Sequence, residues 1–271
     1  VTRRLIAGCC VGLAALTLAG CAGDDPDQDS AATVAPAAAA APPSVQSDPT
    51  APAAPAGEPS GQPAATPTPA PSAGPRLVTP GKLGALLVPI EELNNVVGAK
   101  LGFETVFTRP GAPAGGLGDK AGCAVLFGSN TDSYANEYTA FRRQSVRDGE
   151  DSSQHFVAQE VAAFADVATA AANFGKTFDK KALAGCDGAV VHRQGDDDRI
   201  TWRLNLSGIT ADTARWTLDQ YADGKPNDWT CAHEARTRSN VEFTVTVCQF
   251  GNAASAATAI GNQINDWIPH P

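Results

Sequence analysis

Clustered positive charge is missing from this chain: 20 Lys+Arg are set against 29 Asp+Glu, a net charge of −9. So acidic a protein is unsuited to tracking a phosphate backbone or docking on an anionic lipid surface, and no nucleic-acid partner is expected. Histidine is scarce too, with His155, His192, His233 and His270 scattered and none at a known spacing from a Ser or Cys. No G-x-S-x-G elbow, H-E-x-x-H helix or G-x-x-x-x-G-K-[ST] loop occurs, so the expectation is a protein without catalysis, cofactor or metal. The acids of Asp196-Asp197-Asp198 lack the spaced ligands and distal Glu of a calcium loop and read as a solvated turn. Long apolar runs are absent as well. The longest, Leu5 to Gly20, falls short of the ~20 residues that a membrane-crossing helix needs.

That run has another reading. Arg3 and Arg4 precede it, small residues close it, and the order Leu18-Ala19-Gly20-Cys21 resembles a bacterial lipobox, in which the cysteine thiol is acylated and the chain is cut just before it. Residues 1–20 are therefore expected to be a lipoprotein signal peptide, and Cys21 the lipidated N-terminus, held on the membrane at ~0.8 kcal/mol per buried CH₂. Residues 21–76, with stretches such as "TVAPAAAAAPPSVQ", hold almost no Leu, Ile or Phe. They have too little to bury to offset the entropy of ordering, and the expectation is a disordered Ala/Pro-rich tether. It would place the remainder, 77–271, on the extracytoplasmic face of the cell membrane.

Residues 77–271 have the length and apolar content of one globular domain. Four cysteines remain there, Cys123, Cys186, Cys231 and Cys248, an even count that points to two disulfides in an oxidising compartment. The stretch "WTCAHEARTRSNVEFTVTVC" reads as two strands about a turn at Ser239-Asn240, with Val241, Phe243, Val245 and Val247 alternating against Glu242, Thr244 and Thr246. Counting outward from that turn sets Cys231 opposite Cys248 in a non-hydrogen-bonded pair, with Cα atoms ~4.5 Å apart, within disulfide reach. Cys123 and Cys186 are then left to join. The same register sets Arg238, Arg236 and Glu234 across from the apolar residues, so the first strand reads as an edge strand.

Elsewhere helices are expected over "PIEELNNVVG", over "TDSYANEYTAF", from Asp166 to about Leu183, and from an Asn252 cap to Trp267. "HFVAQEVAAF" reads as a strand, and "AVVHRQGDDDRITWRLNLSG" as a hairpin about Gly195 and Asp196. Strands joined by hairpins outnumber long helices, which gives the class as α+β: an antiparallel sheet with helices on one face. Of the tryptophans, Trp202 is expected in the core, Trp229 against the disulfide, and Trp216 is the candidate for a ligand-binding cleft wall.

"PIEELNNVVG", "YANEYTAFRRQ" and above all "WTCAHEARTRSNVEFTVTVCQFGNAASAATAIGNQI" resemble the PknH-like extracellular sensor domain, carried by mycobacterial serine/threonine kinases and by several lipoproteins. The signature runs through Trp229, Cys231, Asn240, Val241, Cys248, Asn262 and Gln263. The resemblance implies two disulfides, paired as above, and a V-shaped cleft for an unidentified ligand. With neither kinase domain nor membrane helix in the sequence, a sensor role would require a partner. The expected function is reversible binding of a small molecule, glycolipid or cell-wall fragment, with docking on another envelope protein as the alternative.

Overall fold

The computed structural model describes residues 76–150 and 153–269. The signal segment, Cys21, the tether up to residue 75 and His270 lie outside the described residues. Eight strands form one antiparallel sheet: β1 (Phe103–Phe107), β2 (Tyr138–Arg147), β3 (His155–Phe164), β4 (Val190–Val191), β5 (Ile200–Ile209), β6 (Thr213–Ala222), β7 (Lys225–Arg238) and β8 (Val241–Phe250). Their spatial order is β1-β2-β3-β8-β7-β6-β5-β4. Four helices accompany them, α1 (Ile90–Val97), α2 (Val167–Thr177), α3 (Lys180–Leu183) and α4 (Ala254–Trp267). The class is α+β, as the pattern of strands indicated. The helices, however, cover both faces of the sheet instead of gathering on one.

The two faces differ because β8 alternates. Val241, Phe243, Val245 and Val247 turn one way and pack with Ile260 and Ile264 of α4 and Leu93 of α1. All four are fully buried, at 0% exposure, each stabilising the fold by about 1.5–3 kcal/mol. Cys248, by contrast, belongs to the cluster on the other face, which also holds Phe174, Phe178 and Leu183 from the α2–α3 segment. Its neighbours on that face, Glu242, Thr244 and Thr246, are also buried, so each needs a polar partner. Asn173 Nδ2 of α2 donates to Glu242 Oε1 at 2.9 Å, Ser129 Oγ donates to Thr244 Oγ1 at 3.0 Å, and His233 Nδ1 meets Thr246 Oγ1 at 2.9 Å.

The β7–β8 hairpin has the register counted from the sequence, with Arg238↔Val241 and Cys231↔Cys248. The Cys231–Cys248 disulfide joins Cα atoms 3.9 Å apart, and Cys123–Cys186 links Cα atoms 5.7 Å apart. Yet β7 is not an edge strand, because β6 pairs along its other side from Thr213↔Arg236 to Ala222↔Lys225. Its long side chains are accommodated by α4: Glu234 Oε2 accepts from Thr258 Oγ1 at 2.8 Å and Arg236 Nη2 donates to Asn262 Oδ1 at 2.7 Å. The turn residue Asn240 is itself buried. Its amide accepts from Val78 N at 2.8 Å and donates to Val78 O at 3.0 Å and Phe164 O at 2.8 Å, tying the domain's first residues to the sheet.

Three helix expectations change. "TDSYANEYTAF" holds a single 3-10 turn, Thr131–Tyr134, capped by Asn130. Ala135 and Asn136 then take positive φ and release the chain into β2, whose aromatic and β-branched residues suit a sheet. The helix from Asp166 ends at Thr177, and Asp179 starts a second one by accepting from Ala182 N at 2.6 Å. At α4 the cap position is Ala253, while Asn252 Oδ1 accepts from Ala254 N at 3.0 Å from one residue further out.

Candidate functional site

On the sheet face shared with α2 lies a cavity of about 600 Å³, lined by Phe156, Cys248, Cys231, Leu218, Phe250, Trp229 and Gln220 among others. These come from adjacent cross-strand rungs: Phe156 opposes Cys248, Cys248 opposes Cys231, Cys231 opposes Leu218, and Phe250 opposes Trp229. The disulfide thus sits in the floor. Trp229 meets Phe250 edge to face, ring centroids 5.1 Å apart. Phe250 is 58% exposed, an unusual position for so large an apolar side chain.

The charged wall is largely self-neutralised. Arg193, on the turn between β4 and β5, donates from Nη2 to Asp196 Oδ1 at 2.6 Å and from Nε at 3.1 Å. Asp196 Oδ2 also accepts from Trp202 Nε1 at 2.7 Å. Arg199 grips Asp197 through two bonds of 3.0 Å, and its guanidinium lowers the Asp197 carboxyl to about 2. Gln220 Oε1 accepts from Asn227 Nδ2 at 2.6 Å. The hairpin anticipated about Gly195 and Asp196 therefore builds one side of the cavity.

Arg143 of β2 also lines the cavity, its Nε 3.3 Å from Glu160 Oε1. Glu160 is buried, and desolvation raises its carboxyl despite Arg143 and the Ser129 N–H that donates to Oε2 at 3.0 Å. Neighbouring Glu242 is pushed up by burial to about 8.

His233 lines the cavity but is only 4% exposed, and burial lowers its pKa to about 3. It stays neutral, and its Nε2 has no hydrogen-bond partner. A Thr–His contact whose imidazole is made so weakly basic by burial, and is unoriented by a carboxylate, does not have the make-up of an activated nucleophile. Trp216 stacks on His233 with centroids 5.0 Å apart and donates from Nε1 to Leu126 O at 2.7 Å. At 2% exposure it belongs to the core and is not among the cavity-lining residues, unlike the expectation of a cleft wall. Trp202 is in the core as expected, at 5% exposure, with an edge in the cavity, and Trp229 packs on the cluster that contains the disulfide.

Sequence reasoning did not single out Phe156, Phe250, Arg143 or Arg193. For Phe250 a signal existed, since it continues the face of Cys248 two residues on. Among the described residues no helix is long and apolar enough to cross a membrane, and no group of three or more His, Cys, Asp and Glu is placed to hold a metal ion.

No curated protein matches this chain. The crystal structure of the extracellular domain of PknH from Mycobacterium tuberculosis superimposes with a TM-score of 0.60 at 23% identity, covering 71% of this chain and 97% of that one. At that identity the likeness is one of fold. Residues 78–266, well over half of the sequence, match the PknH-like extracellular domain family, and the chain belongs to that family.

Proposed function

We propose that this protein is a membrane-anchored extracytoplasmic lipoprotein whose domain binds a small molecule, glycolipid or cell-wall fragment reversibly in the cavity floored by the Cys231–Cys248 disulfide. The carrying observation is that cavity: its volume of about 600 Å³ falls within the range of small-molecule sites, which pair apolar walls with a few polar groups. The family supports a sensor role outside the cytoplasm. Lipidation of Cys21 and a tether over 21–76 rest on the lipobox and on composition alone. Signalling would pass through an envelope protein that reads whether the cavity is filled.

Native mass spectrometry of the protein purified from its own host tests this reading. A co-purifying lipid or glycan adduct, lost on Trp229→Ala, is the expected result; a bare mass in every preparation, with the cavity residues insensitive to envelope extract, overturns it. A docking module is the second reading, favoured by Val106 and Phe107 on edge strand β1, which are 49% and 43% exposed. It predicts a stable protein partner and no small adduct.

A further inference from the structure

The cavity's two arginines are not equivalent. Arg193 gives Nε and Nη2 to Asp196, and so has a full ionic partner. Arg143 has only Glu160, 3.3 Å from its Nε, and that Nε is buried without a hydrogen-bond partner. Its side chain is 29% exposed, and its guanidinium carbon lies 5.5 Å from the Phe107 ring centroid. Burial raises the Glu160 carboxyl, so the guanidinium is opposed by a group that ionises reluctantly.

Most of the polar groups on the charged wall are already partnered, while the buried His233 Nε2 is not. Asp196 holds Arg193 and Trp202, Asp197 holds Arg199, Gln220 holds Asn227, and His233 holds Thr246. A saccharide site needs many unpaired donors and acceptors to replace the water around each hydroxyl, and this cavity presents few of them. It presents one planar fork suited to a carboxylate or phosphate, and a strip of Phe156, disulfide, Trp229 and Phe250 that gains by covering apolar surface. The net charge of −9 repels an extended anionic membrane without opposing one head group seated on a guanidinium.

We propose that the cavity takes an amphiphile with one anionic head, carboxylate or phosphate, held by the terminal nitrogens of Arg143, with its apolar body along Phe156, the Cys231–Cys248 disulfide, Trp229 and Phe250. This rests on the cavity being the ligand site. The test uses the unacylated full chain titrated with octyl phosphate, octanoate, octyl glucoside and maltose below their micellar concentrations, following ¹⁵N amide shifts. Octyl phosphate or octanoate should shift Phe156, Trp229 and Phe250, and the stronger of the two names the head group. Arg143→Gln should weaken that binding about tenfold or more, and Arg143→Lys, which keeps the charge without the fork, should fall between. If octyl glucoside or maltose binds there as well as octyl phosphate, or Arg143→Gln changes nothing, the anionic head is refuted while the cavity stands. Shifts confined to other surfaces refute both, and no binding of the anionic probes at millimolar concentration refutes the amphiphile alone.

Discussion

Replacing Glu242 with Gln should change how stability depends on pH, in a window that the structure defines. Glu242 is 4% exposed beneath α2 and its carboxyl is raised by burial from an ordinary 4.5 to about 8. Between those values the folded protein keeps a proton that the unfolded chain has released, so stability falls as pH rises and the loss is complete above about 8. His233 works in the opposite sense: burial lowers it from 6.5 to about 3, so its unfavourable charging in the folded state is felt only as pH falls below 6.5. The two slopes offset each other from 4.5 to 6.5, and from 6.5 to about 8 the fall due to Glu242 stands uncompensated by His233. At about 1.4 kcal/mol per pH unit, that interval is worth on the order of 2 kcal/mol. Gln still accepts the Asn173 amide hydrogen bond but cannot ionise. Urea unfolding of the oxidised protein, followed by tryptophan fluorescence at pH 6.5 and 8, should show the wild type losing about 2 kcal/mol and Glu242→Gln losing markedly less. Parallel declines in the two proteins would mean that Glu242 is not held protonated by its burial, and the reasoning would be wrong.

Asn240→Ala should destabilise the domain by about 3 kcal/mol or more, since Val78 N, Val78 O and Phe164 O all lose their partner in a buried place; a loss under about 1 kcal/mol in denaturant unfolding would show that water replaces the amide. Gly116→Ala should destabilise by about 1–3 kcal/mol, because φ is +78° and a Cβ would lie 2.7 Å from Gln194 N. Thermal melting beside Gly111→Ala, whose Cβ meets nothing within 4 Å, separates that clash from a general loss of glycine. Cys21→Ser should release the protein from membranes into the soluble fraction, and retention after that change would place the anchor elsewhere.

The β7–β8 hairpin was legible because its order is local: a two-residue turn and an alternating strand fix the register, and the register fixes which sulfurs meet. The same locality explains what was misread. Thr131–Tyr134 begins like a helix, with an Asn cap and acid in the first turn, and only the pairing of Tyr138–Arg147 with β3 draws the following residues into a strand. Similarly, β7 resembles an edge strand on its own composition, since nothing in residues 225–238 reveals that Thr213–Ala222 pairs along its second side. Trp216 was offered to a ligand for want of that same pairing, which sets it opposite His233 and under Leu126. The cavity was the least legible part. Phe156, Arg193 and Phe250 are neighbours only through cross-strand rungs and a hairpin, with no motif joining them along the chain.

Its position follows from element lengths. A ten-residue strand such as β8 extends about 33 Å, whereas the eleven residues of α2 span only about 16 Å. Helix α2 covers the Glu242 end, where Asn173 satisfies the carboxyl, whereas among the described residues no α-helix contributes to the cavity lining at the Cys248 and Phe250 end. On the opposite face α4, α1 and the turn Pro80–Leu86 close over the apolar side. An opening thus remains where a second layer would otherwise complete the core. The side chains at that opening are of the kind a covering layer would bury: Phe156, Trp229, Phe250 and the disulfide. Surface of this composition gains free energy from any apolar partner that excludes water from it, and this is the physical basis for expecting an occupant.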